Sequence, residues 1–368
     1  MKLSDFLEEV SEKTTQNNQY SVLTSSKNGI FPQDNYFNKQ VASKDNTGYK
    51  VIRRGEFTYR AMSDTGEFYP NMLECTDIGI VSPAYPVFRI SKDVIIPEYL
   101  KYYFKSKGFQ KSITSFVQGS TRASMKFGKM KTISIDPPDK ETQLELTKKL
   151  NLIRVQIKIK TKELSLLDTL IKARFVEMFG DVVANNMGWN TKPMSEVAPA
   201  NSPKVQIHGN VWLLNLDMIE PQSGNILCKH YVPSSELNTS ICAFDSKNVL
   251  YSKLRPYLNK VVLPDQEGYC TTELVPLKPT ARLNREYLAA LLRSGAFVGY
   301  INSKTAGAKM PRVSMNIFRR FECVLPPIEL QNQFASFVSQ VDKSKFAIQK
   351  LLVASKNILQ LIKEDLNG

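Results

Sequence analysis

The sequence predicts an α+β protein with an internal repeat, in which two mixed α/β domains are each followed by a long helix. Short phrases recur 188 residues apart, as Glu98-Tyr99-Leu100 and Glu286-Tyr287-Leu288 do. Each copy then reaches a Pro-Pro pair, Pro137-Pro138 or Pro326-Pro327, and continues into a stretch without Gly or Pro. Solenoid repeats have periods of roughly 20 to 50 residues, so a spacing this long indicates whole repeated domains.

The repeat keeps the order of its landmarks through most of both copies. After small shifts, Arg122 and Met125 match Arg312 and Met315. The residues that match without a shift are Ser106, Phe109, Ile113 and Gly119 with Ser294, Phe297, Ile301 and Gly307. This order predicts globular domains over residues 1–138 and 181–327, and long helices over residues 139–180 and 328–368.

The globular parts show the patterns of short strands and short helices. Apolar runs between Pro, Gly and Asn turns indicate strands. These runs are Gly79-Ile80-Val81, Val87–Ile90, Trp212–Leu214 and Lys260–Leu263. Helical patterns cover Pro97–Lys107 and Arg285–Ser294. Each globular part is therefore predicted to mix α and β structure.

Each long helix carries an apolar stripe whose positions alternate in steps of four and three residues, a spacing typical of coiled coils. Gly180 follows the first helix and suits a left-handed C-cap. We expect the stripes to pack together as an antiparallel coiled coil with pseudo-two-fold symmetry. A parallel pair would require the second domain to span the length of the helices. The stripes include Leu146, Leu150, Ile153, Ile157 and Leu164 in the first helix, and Phe334, Val338, Val341, Ile348 and Leu352 in the second.

Composition favours a soluble protein with a polyanionic partner. The chain has 368 residues, 42% of them hydrophobic, which is enough for two cores. Its 49 Lys and Arg residues against 35 Asp and Glu residues leave a net charge of +14, which favours nucleic acid as a partner. No run approaches the roughly 18 apolar residues of a membrane helix, and the start lacks an apolar signal core. We therefore expect a cytoplasmic protein that does not contact a membrane.

The sequence gives little support to metal, nucleotide or methyl-transfer chemistry. The five cysteines form no Cys-x-x-Cys pair, and both histidines, His208 and His230, lie in the second copy. Asp136-Pro137-Pro138-Asp139 imitates the Asp-Pro-Pro-Tyr motif of amino-methyltransferases but lacks its aromatic residue. No phosphate-binding loop of the G-x-x-x-x-G-K-[ST] type occurs. We expect no catalytic residue and no metal site in this chain.

Three phrases with their second copies carry a resemblance to a known family. They are Glu98–Arg122, Asp136–Gln143 and Leu250–Pro256, and the run Glu286–Gln331 completes them. With a long helix after each globular part, the whole chain resembles the specificity subunit of type I restriction-modification systems. The resemblance implies that the globular parts are target recognition domains, each of which reads one half of a split DNA sequence.

The same resemblance implies the partners of the chain. The long helices would set the spacing between the half-sites and dock two methyltransferase subunits that act on adenine N6. Motor-nuclease subunits would join the complex for restriction. S-adenosylmethionine, ATP and Mg would then be cofactors of those partner subunits, and this chain would hold none.

The geometry expected from the repeat leads to the same function. Two domains held apart on a rigid helical rod would present two surfaces to a DNA duplex, where half-sites lie about one helical turn apart. Because the copies differ outside their landmarks, the half-sites should differ, which gives an asymmetric bipartite target in double-stranded DNA. Two alternatives stay open, namely a stand-alone DNA-binding regulator with two reading domains and a fused or cryptic enzyme.

Polar loops supply the candidate DNA contacts. Hydroxyl, guanidinium and ammonium groups beside a flexible Gly suit contacts to phosphates and base edges. The candidates are Arg60, Ser63, Ser120, Thr121, Arg122 and Lys126 in the first copy, and Lys253, Arg255, Tyr257, Lys304, Thr305, Lys309 and Arg312 in the second. The alternative is structural, with Arg122 and Arg312 paired to acidic side chains of their own domains.

Overall fold

A computed structural model of the chain describes residues 1–33, 45–114, 123–203, 208–237, 240–307 and 310–365, with side chains through Ile362. The chain forms two compact units. The first consists of Met1–Lys160 with Leu351–Gly368, and the second of Thr161–Lys350. Both units contain helices and sheets, and two long helices run through residues of both. The α+β fold predicted from the sequence is confirmed.

In the described residues of the first unit, a four-stranded antiparallel sheet is accompanied by two-stranded ladders. The sheet has the order β1-β9-β5-β7, and the ladders pair β2 with β3, β4 with β8, and β6 with β10. The strands are β1 (Leu7–Val10), β2 (Leu23–Ser26), β3 (Gly29–Pro32), β4 (Lys50–Arg53), β5 (Phe57–Thr58), β6 (Met62–Ser63), β7 (Asn71–Met72), β8 (Ile78–Val81), β9 (Val87–Ile90) and β10 (Ala123–Ser124).

Short helices of the first unit cover an aromatic core. They are α1 (Pro97–Tyr103), α2 (Lys107–Thr114) and α3 (Phe127–Met130). The ring of Phe57 lies 5.5 Å from that of Phe88 and 5.8 Å from that of Phe104. The single helix predicted over Pro97–Lys107 is wrong in its length. It ends at Tyr103 because the Ser106 hydroxyl accepts from the Phe109 N–H at 3.1 Å and starts a new helix there.

The first long helix, α4 (Lys140–Phe179), is fixed at its start by two side chains. Asp139 Oδ1 accepts from the Thr142 N–H at 2.8 Å, as a helix cap does. Gln143 is buried, donates to the Pro138 carbonyl at 2.8 Å and accepts from the Ile96 N–H at 2.9 Å. The helix ends before Gly180, whose φ of +71° is the left-handed conformation expected of a C-cap.

In the described residues of the second unit, the largest sheet is mixed, with the order β13-β12-β17-β14. A three-stranded sheet has the order β16-β15-β18, and two ladders pair β11 with β21 and β19 with β20. The strands are β11 (Asn190–Pro193), β12 (Asn210–Leu214), β13 (His230–Pro233), β14 (Ile241–Phe244), β15 (Val249–Ser252), β16 (Val261–Val262), β17 (Gly268–Thr271), β18 (Leu274–Leu277), β19 (Thr305–Ala306), β20 (Arg312–Val313) and β21 (Glu322–Leu325).

The helices of the second unit follow the repeat. They are α5 (Met194–Val197), α6 (Arg285–Arg293), α7 (Gly295–Ser303), α8 (Met315–Arg319) and the second long helix, α9 (Ile328–Asp365). Gln331 is buried at the start of α9, donates to the Pro326 carbonyl at 2.8 Å and accepts from the Asn284 N–H at 2.8 Å. The glutamine that follows each Pro-Pro pair thus ties a long helix to the preceding domain in the same way.

The two long helices run antiparallel within the second unit. Asp168 of α4 pairs with Lys345 of α9 at 2.7 Å, and further along α4 the rings of Phe175 and Phe179 each lie 5.5 Å from that of Phe334. Residues nearer the C-terminus of α4 therefore contact residues nearer the N-terminus of α9. The antiparallel direction predicted from the stripes is confirmed.

The first unit holds the other halves of the two helices. Leu150 of α4 is fully buried in its core, and Leu146, Leu359 and Ile362 pack against the same core. Every stripe position that the sequence predicted is buried or half-buried in its own unit. Apolar side chains off the stripe are exposed instead, among them Leu152 at 65%.

Candidate nucleic-acid interface

A pair of loops, distant in sequence, meets in the first unit. Strands β6 and β10 place Ser63 opposite Ala123, and the Met125 N–H donates to the Ala61 carbonyl at 3.0 Å. Arg60 is exposed beside this ladder, and Lys126 follows it immediately before α3. The predicted residues Arg60, Ser63 and Lys126 are therefore brought to one place. We call residues 60–63 and 123–126 the loop pair of the first unit.

The same loop pair is built in the second unit from residues 253–257 and 310–313. The Val313 N–H donates to the Lys253 carbonyl at 3.0 Å, and the Arg255 N–H donates to the Pro311 carbonyl at 2.7 Å. These bonds match those of the first unit, with Ala61 and Lys253 in corresponding places.

The remaining described candidates of the second unit adjoin this loop pair. Thr305 lies opposite Val313 in the β19–β20 ladder, and Lys304 precedes it. Arg255 adopts a left-handed conformation with φ of +48° that turns the chain, and Tyr257 follows it with 46% exposure. The structure therefore gathers the predicted residues of the second copy around one short ladder.

A buried tyrosine lies behind each loop pair. The Tyr59 hydroxyl donates to the Met125 carbonyl at 3.1 Å, and burial raises its pKa. Tyr251 occupies the corresponding place at the end of β15, where burial also raises its pKa. Sequence reasoning offered Tyr59 beside Arg60 as a candidate DNA contact, which its full burial contradicts, and gave Tyr251 no role behind a loop. Their shared spacing to the loops, Tyr59 before Ala61 and Tyr251 before Lys253, could have revealed it.

Arg312 forms an ion pair within its own domain. Its Nη2 donates to Glu273 Oε1 at 2.8 Å, and its side chain stays 54% exposed. This pairing is the structural alternative considered for Arg312. About half of the side-chain surface nevertheless stays accessible to solvent. Ser120, Thr121, Arg122 and Lys309 lie outside the described residues.

An open groove of about 590 Å³ borders the loop pair of the first unit. Arg60 and Ser63 line one side, and the β2–β3 hairpin with Ser26 and Lys27 lines the other. Asn71 holds this hairpin in place, because its buried Nδ2 donates to Ser25 Oγ at 2.9 Å and to the Ser26 carbonyl at 2.8 Å. The groove therefore combines fixed backbone with hydroxyl and cationic groups, the usual donors to phosphates and base edges.

The methyltransferase-like phrase has a structural role. Asp139, which stands where that motif has its aromatic residue, caps α4 through the Thr142 N–H. Over the described ranges, His, Cys, Asp and Glu residues form no group of three or more that could hold a metal ion. Among the helices described, none is long and apolar enough to cross a membrane.

Comparison with known proteins shows what this chain resembles. Residues 187–354 match the family described as the type I restriction modification DNA specificity domain. The chain is therefore similar to the specificity subunits of type I restriction-modification systems, in agreement with the resemblance seen in its sequence.

Individual relatives agree with that assignment. The chain is 20% identical over 316 residues to the specificity subunit of the EcoDI type I restriction enzyme of Escherichia coli, which covers 75% of this chain and 70% of that protein. It is 22% identical over 300 residues to the specificity subunit of the MjaIX enzyme of Methanocaldococcus jannaschii, which covers 73% of this chain and 68% of that protein.

Two solved structures share the fold. A chain from a type I R-M system, solved to explain complex assembly and conformational transition, has a TM-score of 0.59 at 16% identity and covers 100% of this chain and 96% of its own. The S subunit of the type I system of M. genitalium has a TM-score of 0.58 at 12% identity and covers 100% of this chain and 95% of its own.

Proposed function

We propose that this chain is the specificity subunit of a type I restriction-modification complex and that it reads an asymmetric bipartite target in double-stranded DNA. Each unit reads one half of the target through its loop pair. The observation that carries the proposal is the repeated loop pair, which has the same backbone bonds in both units but places Ser63 where the other places Arg255. The same backbone arrangement with different polar side chains suits two different half-sites, because base edges are distinguished by the groups that contact them.

The long helices carry the partner subunits in this proposal. Large apolar side chains stand exposed on α4 and α9 away from the stripes. They include Leu152, Val155 and Val176 on α4, and Phe346, Leu351 and Leu361 on α9, each at least 53% exposed. Exposed apolar surface of this kind is typical of protein–protein contacts. Two methyltransferase subunits would cover it, and the motor-nuclease subunits would join them.

The chain itself performs no catalysis in this proposal. It positions the methyltransferase over an adenine, while S-adenosylmethionine, ATP and Mg are held by the partner subunits. A cytoplasmic location follows from that role, since the DNA target lies there.

The test is methylome sequencing of a methylation-free host. One strain expresses this chain with its neighbouring methyltransferase subunit, and a matched strain lacks only this chain. A split adenine-methylation motif that depends on the chain is expected. An active methyltransferase in a confirmed complex that leaves no such motif would instead favour a stand-alone DNA-binding regulator.

Single substitutions then assign a half-site to each unit. Arg255→Gln should weaken recognition of one half-site by about 1–3 kcal/mol if the guanidinium makes a bidentate base contact. Arg60→Gln, which removes the exposed guanidinium of the loop pair of the first unit, should affect the other half-site. The measurement is equilibrium binding of the complex to duplexes that carry base changes in one half at a time. Equal loss on both halves from either substitution would contradict the assignment of one half to each unit.

A further inference from the structure

A second open groove in the first unit, of about 930 Å³, continues from the one beside the loop pair. The two grooves share Lys27, Thr65, Glu67 and Tyr69. The second one extends from the turn of the β2–β3 hairpin along α2 to residues of both long helices. A chain of phosphates that passes the loop pair would therefore meet this groove next.

The groove is strongly cationic. Its lining contains one carboxylate, that of Glu67, against five cations, which are Lys27, Lys105, Lys107, Lys111 and Arg154. Glu67 lies 3.7 Å from Lys27, whose side chain stays 69% exposed. An ion pair this exposed contributes little free energy, so the Lys27 ammonium can leave Glu67 for a phosphate at a small cost in free energy.

Helix α2 directs its lysines into the groove for a physical reason. Phe109 and Ile113 are fully buried on one face, which leaves Lys107 and Lys111 together on the exposed face because they are four residues apart. The separation of the two lysines along the helix is about 6 Å. Adjacent phosphates on one DNA strand are separated by a similar distance, so both lysines can serve one strand.

A fixed cation stands on the α4 side of the groove. The Arg154 guanidinium lies 5.7 Å from the centre of the Tyr102 ring. That ring is itself held, because the Tyr102 hydroxyl donates to Asn151 Oδ1 at 2.6 Å. A guanidinium stacked on a held ring loses little freedom when it binds a phosphate.

Three of these five cations have no cation at the matching position of the second unit. At the repeat spacing of 188 residues, Lys107 and Lys111 become Gly295 and Gly299, and Arg154 becomes Asp342.

The position of Lys105 keeps a cation in the second unit. There Arg293 is turned inward, donates to the Val261 carbonyl and has its pKa lowered by burial to about 10. The buried residues of the same helices are repeated, whereas these charges are not. The charges are therefore not needed for the fold.

We propose that this groove binds the sugar-phosphate backbone of double-stranded DNA next to the half-site read by the first unit. The inference rests on the proposed function and adds to it a difference between the two units in their contacts to DNA phosphates. The first unit holds DNA through sequence-independent phosphate contacts that the second unit lacks.

The test is the salt dependence of DNA binding by the full chain in complex with its methyltransferase subunit. The probe is a duplex that carries the split motif. Each neutralised phosphate contributes about 0.9 to the slope of log K against log salt concentration, so Lys107→Gln with Lys111→Gln should reduce the slope by about 1.8. Base preference in both half-sites should stay as in the wild type. Lys13→Gln with Lys92→Gln removes the same charge from exposed positions of the same unit outside the groove and should leave the slope unchanged.

The outcomes separate the inference from the proposed function. If the wild-type complex binds the motif specifically but the groove variant keeps its slope, the groove assignment is overturned and the proposed function stands. An equal reduction in the control variant would also overturn it, because the effect would then reflect net charge alone. A wild-type complex without motif preference would overturn the proposed function and the inference together.

Discussion

The two units begin their long helices in the same way but surround their loop pairs with different charges. Gln143 and Gln331 are both buried and make matching hydrogen bonds at the helix starts. By contrast, the exposed lysines of α2 become glycines in α7. In this duplicated fold, these buried and capping residues are therefore repeated, whereas these exposed charges differ between the two units.

The aromatic content of the two helix junctions differs as well. In the second unit the rings of Phe175, Phe179 and Phe334 contact one another, and the Tyr287 ring packs against Phe175 and Phe179. The residue that corresponds to Phe334 in the first unit is Leu146, which is only half-buried. The junction of the second unit should therefore be the more stable one.

The largest expected effect tests that difference. Phe334→Ala should lower the free energy of unfolding of the second unit by about 4 kcal/mol, because it empties a fully buried aromatic site. Leu146→Ala should cost the first unit about half as much. The two tryptophans, Trp189 and Trp212, both lie in the second unit, so fluorescence during urea denaturation follows that unit alone. Hydrogen exchange of peptides from the first unit measures the unfolding of that unit. Equal decreases in the free energy of unfolding of the two units would contradict the proposed difference in stability between the two helix junctions.

A smaller effect is expected where the units are alike. Gln331→Ala and Gln143→Ala should each cost about 2–3 kcal/mol in their own unit, because buried backbone groups lose their partners. Tryptophan fluorescence should shift for Gln331→Ala and stay close to the wild type for Gln143→Ala. A shift of the same size for both variants would mean that the units unfold together.

The smallest effect is expected when the lysines of the first unit are introduced at the matching positions of the second unit. Gly295→Lys with Gly299→Lys gives α7 the lysines of α2, and a Cβ at either glycine would meet no atom within 4 Å. The salt slope of DNA binding should steepen by about 1, less than the two-contact limit, because the rest of the groove is not transferred. Binding to the motif duplex across a range of salt concentrations measures it. An unchanged slope would show that the two lysines alone do not create a phosphate site.

The sequence was most informative where a period or a repeat was involved. The apolar stripes predicted which side chains of α4 and α9 are buried because a 3.5-residue spacing keeps one face toward a partner helix. Runs such as Val87–Ile90 were found as strands because apolar residues stand there between turn residues. The break at Ser106 was missed because a single cap hydrogen bond decides it, and the preceding residues continue a helical pattern.

The surroundings of the candidate site were harder to predict. The β6–β10 ladder is two residues long in each strand and joins positions about 60 residues apart, too short for a strand pattern. The cationic groove is assembled from the β2–β3 turn, α2 and α4, so no local stretch of sequence contains it. Lys107 and Lys111 were therefore not among the DNA contacts predicted from the sequence.

The division of each long helix between the units has a consequence for the order of synthesis. The second unit, Thr161–Lys350, is continuous in sequence and can close as soon as it leaves the ribosome. The first unit begins at Met1, yet its core also takes in Leu359 and Ile362. Domains generally fold as units during translation, in the order in which they are completed. Here the unit whose residues are synthesised first is completed last, and the part of its core that Leu359 and Ile362 cover stays exposed until residue 362 has emerged.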